Sequence, residues 1–233
     1  MNKRFARTAA TVLATAMVAA CGGGGGDGGD AAAEKSPVGF WNGTTSTGLT
    51  ASVAVLPNGS TWAAYAGGST LGFVNGNVNG AATDFNLTSG TITQGTISTD
   101  ATTKQSITSR VSAGGQTVTF TGSYDASFEQ TPSLAALAGT FAGVGPSAGT
   151  TVTVGANGAV TGTDAGCTFT GTATPRTDAN AFNLTLTFGP APCALPGLSG
   201  SGIAVYDSTA RSLLAAAVNS ARTAGAIFIG TKR

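Results

Sequence analysis

The chain has no histidine. That removes the commonest general base and the commonest transition-metal ligand. Ser-His-Asp and Cys-His arrangements cannot be built from it. Charge is scarce as well: Asp, Glu, Lys and Arg make up 9% of the 233 residues, with 11 basic against 10 acidic side chains. The basic residues are too scattered to follow a phosphate backbone, which excludes nucleic acid as a partner. No apolar run after residue 20 is long enough to cross a bilayer as a helix. Cysteines number three, without a Cys-x-x-Cys spacing, so neither a redox pair nor a zinc site is expected. Asp84, Asp100, Asp125, Glu129, Asp164, Asp178 and Asp207 are scattered, most of them in turn contexts, and no two stand out as a carboxylate pair. Asp27 and Asp30 lack the ligand density of a calcium loop. The expectation is a non-enzymatic protein without metal or cofactor.

What the chain does have begins at its start. Lys3, Arg4 and Arg7 form a short basic region, and residues 8–20 are uncharged and largely apolar. These are the proportions of a signal peptide, expected over residues 1–20. Val18-Ala19-Ala20-Cys21 resembles the lipobox of bacterial lipoproteins. The resemblance implies thioether lipidation of Cys21, cleavage before it, and acylation of the new amino group, palmitate included. A thiol suits this transfer because it is the strongest side-chain nucleophile near neutral pH. Gly22, where an Asp would signal retention, implies the outer membrane by analogy with enterobacterial sorting. Three acyl chains exceed the two signals that stable anchoring needs. Without Lys3, Arg4 and Arg7 the mature chain carries 8 basic and 10 acidic residues. Residues 21–36 hold five consecutive glycines and read as a flexible tether. A phosphate-binding loop would need a preceding strand and a Gly-Lys-Ser/Thr ending, both missing.

From residue 37 the composition turns to Thr, Val, Ala, Gly and Phe, and segments recur in order. Gly39-Phe40-Trp41-Asn42-Gly43 returns as Gly139-Thr140-Phe141-Ala142-Gly143. Asn58-Gly59 returns as Asn157-Gly158, and Phe85-Asn86-Leu87-Thr88 as Phe182-Asn183-Leu184-Thr185. Phe120-Thr121-Gly122 returns as Phe228-Ile229-Gly230. Two β modules follow, residues 37–130 and 131–233. Phe182, Leu184, Leu186 and Phe188 alternate with Asn183, Thr185 and Thr187, the pattern of a half-buried strand. Leu49, Ala51, Val53 and Val55 do the same. Asn-Gly between such runs predicts type I′ hairpins. The turn spacing gives about eight strands per module and an all-β, antiparallel fold of two tandem up-and-down barrels. One continuous barrel or sandwich is the runner-up. Strands this short are expected to enclose a core filled by side chains rather than a lipocalin-sized cavity. Thr131, Pro132 and Gly139 predict a short helical linker, capped by Thr131. Residues 211–219 fit helix or strand equally.

Phe40-Trp41-Asn42-Gly43 and Phe228-Ile229-Gly230-Thr231-Lys232-Arg233 resemble the opening and closing strands of transferrin-binding-protein-like β-barrel surface lipoproteins. The chain as a whole is similar to Gly/Thr-rich lipoproteins of proteobacteria. Cys167 and Cys193 then form an expected disulfide, since the implied compartment is oxidising. Closing that loop is worth roughly 3 kcal/mol of chain entropy. Trp41, Trp62 and Tyr206 are the candidate binding residues, because aromatics are enriched at interfaces, with core packing as the competing role. The expected function is a binding or adhesion module, lipid-anchored at the periplasmic or outer face of the outer membrane. A protein or a small molecule is its expected ligand. The runner-up is a structural or envelope-assembly lipoprotein.

Overall fold

The computed structural model describes residues 35–233; the expected signal peptide, Cys21 and the tether up to residue 34 lie outside the described residues. Two closed antiparallel barrels of eight strands each follow in tandem. Barrel 1 comprises β1 (Gly39–Thr45), β2 (Thr50–Val55), β3 (Ser60–Gly67), β4 (Thr70–Asn77), β5 (Ala81–Asn86), β6 (Thr91–Thr102), β7 (Ser106–Ala113) and β8 (Gln116–Asp125). A short helix, α1 (Leu134–Leu137), leads into barrel 2. Its strands are β9 (Gly139–Gly143), β10 (Thr151–Val154), β11 (Ala159–Asp164), β12 (Cys167–Pro175), β13 (Phe182–Phe188), β14 (Ser199–Asp207), β15 (Ser212–Val218) and β16 (Gly225–Lys232). Each strand pairs with its sequence neighbours, and β1–β8 and β9–β16 close the two rings. Closure leaves no unpaired sheet edge.

The two seams are built alike. Gly43 stands opposite Gly122 in one and Gly143 opposite Gly230 in the other. A Cβ on Gly43 would lie 1.9 Å from the Thr121 carbonyl oxygen, and one on Gly143 would lie 1.8 Å from that of Ser147. Phe120 lies over Gly122 and Phe228 over Gly230, so each Phe-x-Gly folds an inward ring over the glycine two residues on. The recurring glycines and phenylalanines are thus one seam, used twice.

The Asn-Gly turns match each other but are not type I′. Only the glycine of each pair takes a positive φ, with φ 81 degrees at Gly59 and φ 82 degrees at Gly158. Type I′ needs two such residues in succession. The Gly59 N–H donates to the Leu56 carbonyl and the Gly158 N–H to the Gly155 carbonyl. The asparagine side chains accept from Ser60 N–H and Ala159 N–H, which holds each turn. Consecutive positive φ values occur instead at Gly114-Gly115 and at Ala165-Gly166. The helical linker is real but starts later than Thr131. Ser133 caps it, its hydroxyl accepting from Ala136 N–H at 3.2 Å. Serine suits that position because its short side chain reaches back to a free N–H of the first turn. Residues 212–218 are strand, β15, whose apolar residues serve both faces.

That double burial marks where the barrels meet. Strand alternation predicts polar outer faces, yet Phe40, Ala54, Phe73 and Phe85 point outward from barrel 1 and are buried. They pack against the outer residues Ile203, Ala216, Val218 and Ile227 of barrel 2. Phe73 and Phe85 stack with centroids 4.6 Å apart. Gly225 makes room for them, since a Cβ there would sit 2.6 Å from the Phe73 ring. Phe128, just past β8, meets Phe40 edge-on at 5.1 Å. The Asn180 side chain donates to the Ser127 carbonyl at 2.9 Å, pinning the turn after β12 to barrel 1. Both barrels therefore belong to one compact unit.

Phe85 and Phe182 carry a correction. They recur in sequence and sit on corresponding strands, but Phe85 faces outward into the contact while Phe182 faces the interior of barrel 2. The repeat ends β5 in one copy and begins β13 in the other. The match is therefore out of phase with the pleat, and a one-residue shift moves a side chain to the other face.

Candidate functional site

The interiors differ although the frames agree. Barrel 1 carries large and polar side chains on its inner face. Trp41 is fully buried, and its Nε1–H donates to the Pro37 carbonyl at 2.8 Å. Tyr124 meets it edge-on at 5.3 Å. From β3 the Tyr65 hydroxyl donates to Asp84 Oδ1 at 2.7 Å. Thr99 and Ser109 share a further hydrogen bond at 3.0 Å. Burial pushes the Asp84 carboxyl above the ordinary carboxylate range, and the bond from Tyr65 only partly offsets it. Burial, with the adjacent carboxylate, raises the Tyr65 phenol well above its usual value. Asp84 is one scattered acid among several in the sequence. Its inward position follows from the pleat, since it alternates with Thr83 and Phe85 on the outer face.

Barrel 2 contains an apolar cavity of about 340 Å³. This corrects the expectation of a filled interior. The wall is made by Val160, Phe169, Leu184, Leu186, Leu213 and Phe228. The space arises because positions that could fill it are small: Ala173, Ala204 and Ala215 face inward, and Gly162 lies under the Phe169 ring. Aligning the Asn-Gly turns sets Gly162 against Ala63 and Asp164 against Tyr65. Tyr65, whose ring lies over Gly72 of β4 and whose hydroxyl meets Asp84 of β5, is thus replaced by a short acid at the rim of barrel 2.

One end of the cavity is stopped. Leu134 and Leu137 of α1 pack on the core there. The Lys232 ammonium fixes the helix by donating to the Ala136 carbonyl at 2.6 Å. It lies 6.0 Å from the ring centre of Phe141 and 5.5 Å from that of Tyr206. A cation within that range of an aromatic face is attracted to it. The other end is rimmed by Asp164 and Ala165 of the β11–β12 turn and by Pro192, Ala194 and Leu195 of the β13–β14 loop. Cys167 and Cys193 are bonded at a Cα separation of 4.4 Å, so this loop is tied to the first residue of β12 at the rim.

Trp41 is placed inside barrel 1, fully buried, as a packing residue. Trp62 and Tyr206 both border a second space, a cleft of about 430 Å³ between the barrels. Trp62 is half-buried on its wall and donates from Nε1–H to Ser60 Oγ at 3.1 Å. Tyr206 meets Phe141 edge-on at 5.7 Å, on the inner side of barrel 2 next to α1. The polar groups of the cleft bond one another: Ser52 donates to Asn42, Asn42 to Asp125, and Asp125 accepts from Ser127 N–H. The barrel 2 cavity differs from the cleft in its wall, which is almost wholly apolar. Among the described residues no buried side-chain nitrogen or oxygen lacks a partner, and no three ligand-type side chains cluster as for a metal. Sequence reasoning missed the cavity residues because alternation marks which residues face inward but not how much volume they leave.

Comparison of the chain with protein-family models, curated proteins and solved structures finds no match.

Proposed function

We propose that the chain is a lipoprotein, anchored through Cys21 to the outer membrane, that acts as a non-enzymatic binding module with barrel 2 as its ligand-bearing half. The observation that carries the binding role is the apolar cavity of about 340 Å³ in a barrel whose tandem copy places Trp41, Tyr65 and Asp84 inside instead. Two frames with the same seam and different interiors divide the work between support and binding. Barrel 1 supplies a packed base, to which barrel 2 is joined through Phe73, Phe85, Ala216 and Val218. The non-enzymatic reading is supported by the lack of histidine and by Asp84 being engaged with Tyr65.

The anchor is supported by the basic start, the apolar stretch and Val18-Ala19-Ala20-Cys21 in that order. The Gly-rich composition of residues 22–34 supports the tether expected between anchor and barrels. Growth with an alkyne-tagged palmitate should label the native chain and leave Cys21→Ser unlabelled. Labelling that survives Cys21→Ser, or no labelling of either, overturns the anchor. Protease added to intact cells then assigns the face of the outer membrane.

A further inference from the structure

Resting on the binding role proposed for barrel 2, we infer that its cavity takes one neutral apolar chain of about twelve carbons, held by contact rather than by hydrogen bonds. Size sets the first limit. An apolar cavity near about 150 Å³ stays dry and accepts a benzene. The cavity of about 340 Å³ therefore admits a ligand of about twice the carbon count. Eight strands also enclose room for one small ligand and no more.

Chemistry sets the second limit. The wall is aliphatic and phenyl, and no buried side-chain nitrogen or oxygen among the described residues is left without a partner. Water entering the cavity would find few partners, and a sugar or peptide would lose its own hydrogen bonds without replacement. The polar side chains on the lining are Thr150 and Asp164, both toward the rim. A carboxylate at the mouth repels an anionic head, which favours an alcohol or ester over a fatty acid anion.

Position sets the third limit. With α1 stopping the far end, the chain enters methyl-first between the β11–β12 turn and the loop held by Cys167 and Cys193. The deep end meets Leu137, Val154 and Phe228, and the head stays at Asp164. The same apolar chain could come from free lipid or from the acyl groups expected on Cys21.

The test uses the full chain carrying Cys21→Ser, so that neither its own lipid nor detergent competes. N-phenyl-1-naphthylamine is titrated as a neutral fluorescent probe and displaced by 1-alkanols. Saturable binding of one probe per chain is expected. Each added methylene should tighten displacement about fourfold until near dodecanol and gain little beyond it. Ala204→Phe, filling the cavity, should weaken the probe about tenfold or more. Ala173→Leu is the milder version should the first variant fold poorly, with the circular dichroism spectrum checking both. Dodecanol should outcompete dodecanoate, and Asp164→Asn should narrow that gap. Bound probe in Cys21→Ser but not in the lipidated chain held in vesicles would assign the cavity to the chain's own acyl group. Bound probe in both assigns it to free lipid.

No saturable binding, or binding indifferent to both Ala204→Phe and Ala173→Leu, overturns the inference. The palmitate experiment is independent of this result: an anchored chain that ignores the probe loses the apolar ligand and keeps the anchor.

Discussion

Barrel 1 and barrel 2 share strand number, connectivity and a glycine seam, yet one carries aromatic and polar side chains inside and the other an apolar cavity. The frame and the interior are specified by different residues. Gly43, Gly122, Gly143 and Gly230 with the rings of Phe120 and Phe228 set closure. Trp41, Tyr65 and Asp84 on one side, Phe141, Gly162 and Asp164 on the other, set the contents. An interior can therefore change by a few substitutions while the barrel stays shut.

The largest test of this comparison is truncation of the paired first-strand aromatics. Trp41→Ala and Phe141→Ala should each cost about 3–5 kcal/mol, measured by denaturant unfolding, with Trp41 the costlier. Both side chains are fully buried, but Trp41 is larger. Equal or reversed losses would mean that the two interiors are packed alike.

Next in size is the rim. Replacing Cys167 and Cys193 by serine should cost roughly 3 kcal/mol and act on barrel 2 first. Hydrogen exchange read strand by strand should show faster opening of β12 and of the β13–β14 loop than of β1–β8. A uniform loss across both barrels would instead assign the bond to the stability of the whole unit.

Smaller still is the effect of the joint. Gly225→Val places side-chain atoms against Phe73 and Phe85. Overpacking there should cost about 1–3 kcal/mol and split one calorimetric transition into two. A single transition retained at lower temperature would show that the contact tolerates the added bulk.

The finest test is pH. The Asp84 pKa is raised in the folded barrel, so folding favours its protonated form. Its stability contribution is complete below the ordinary carboxylate pKa and is lost as pH rises through the raised folded value. Asp84→Asn should remove that decline, seen as a flatter stability curve from about pH 4 upward. An unchanged slope would place the titration elsewhere. The Tyr65 pKa is raised too, so ionising it at strongly alkaline pH also works against the fold.

Much of the frame was legible in the sequence. Period-two alternation in Phe182–Phe188 gives the strand directly, and the recurring Phe-x-Gly marks a seam. The turn type was not legible, because Asn-Gly serves both type I′ turns and turns with one positive φ at the glycine. Nor was the joint: Phe40, Ala54 and Phe73 depart from the alternation of their strands, and only a second barrel explains their burial. The apolar run Leu213–Val218 did carry a hint, since a strand apolar on both faces needs cover on both. Cys167 and Cys193 could be paired from the sequence. Trp41, Trp62 and Tyr206 stood out as aromatics, but alternation could not say that Trp41 would fill a barrel and that Trp62 and Tyr206 would border a cleft. The cavity depends on Ala173, Ala204 and Gly162 being small together, a property of three strands that no single stretch displays.

The most direct measurement is hydrogen exchange on the Cys21→Ser chain with and without saturating dodecanol. Occupancy at about a hundred times the dissociation constant adds about 2.7 kcal/mol to the folded state. The account predicts that exchange slows more in β12, β13 and β14 of barrel 2 than in β3 to β7 of barrel 1. Slowing confined to barrel 1, equal slowing in both barrels, or none in either would contradict it.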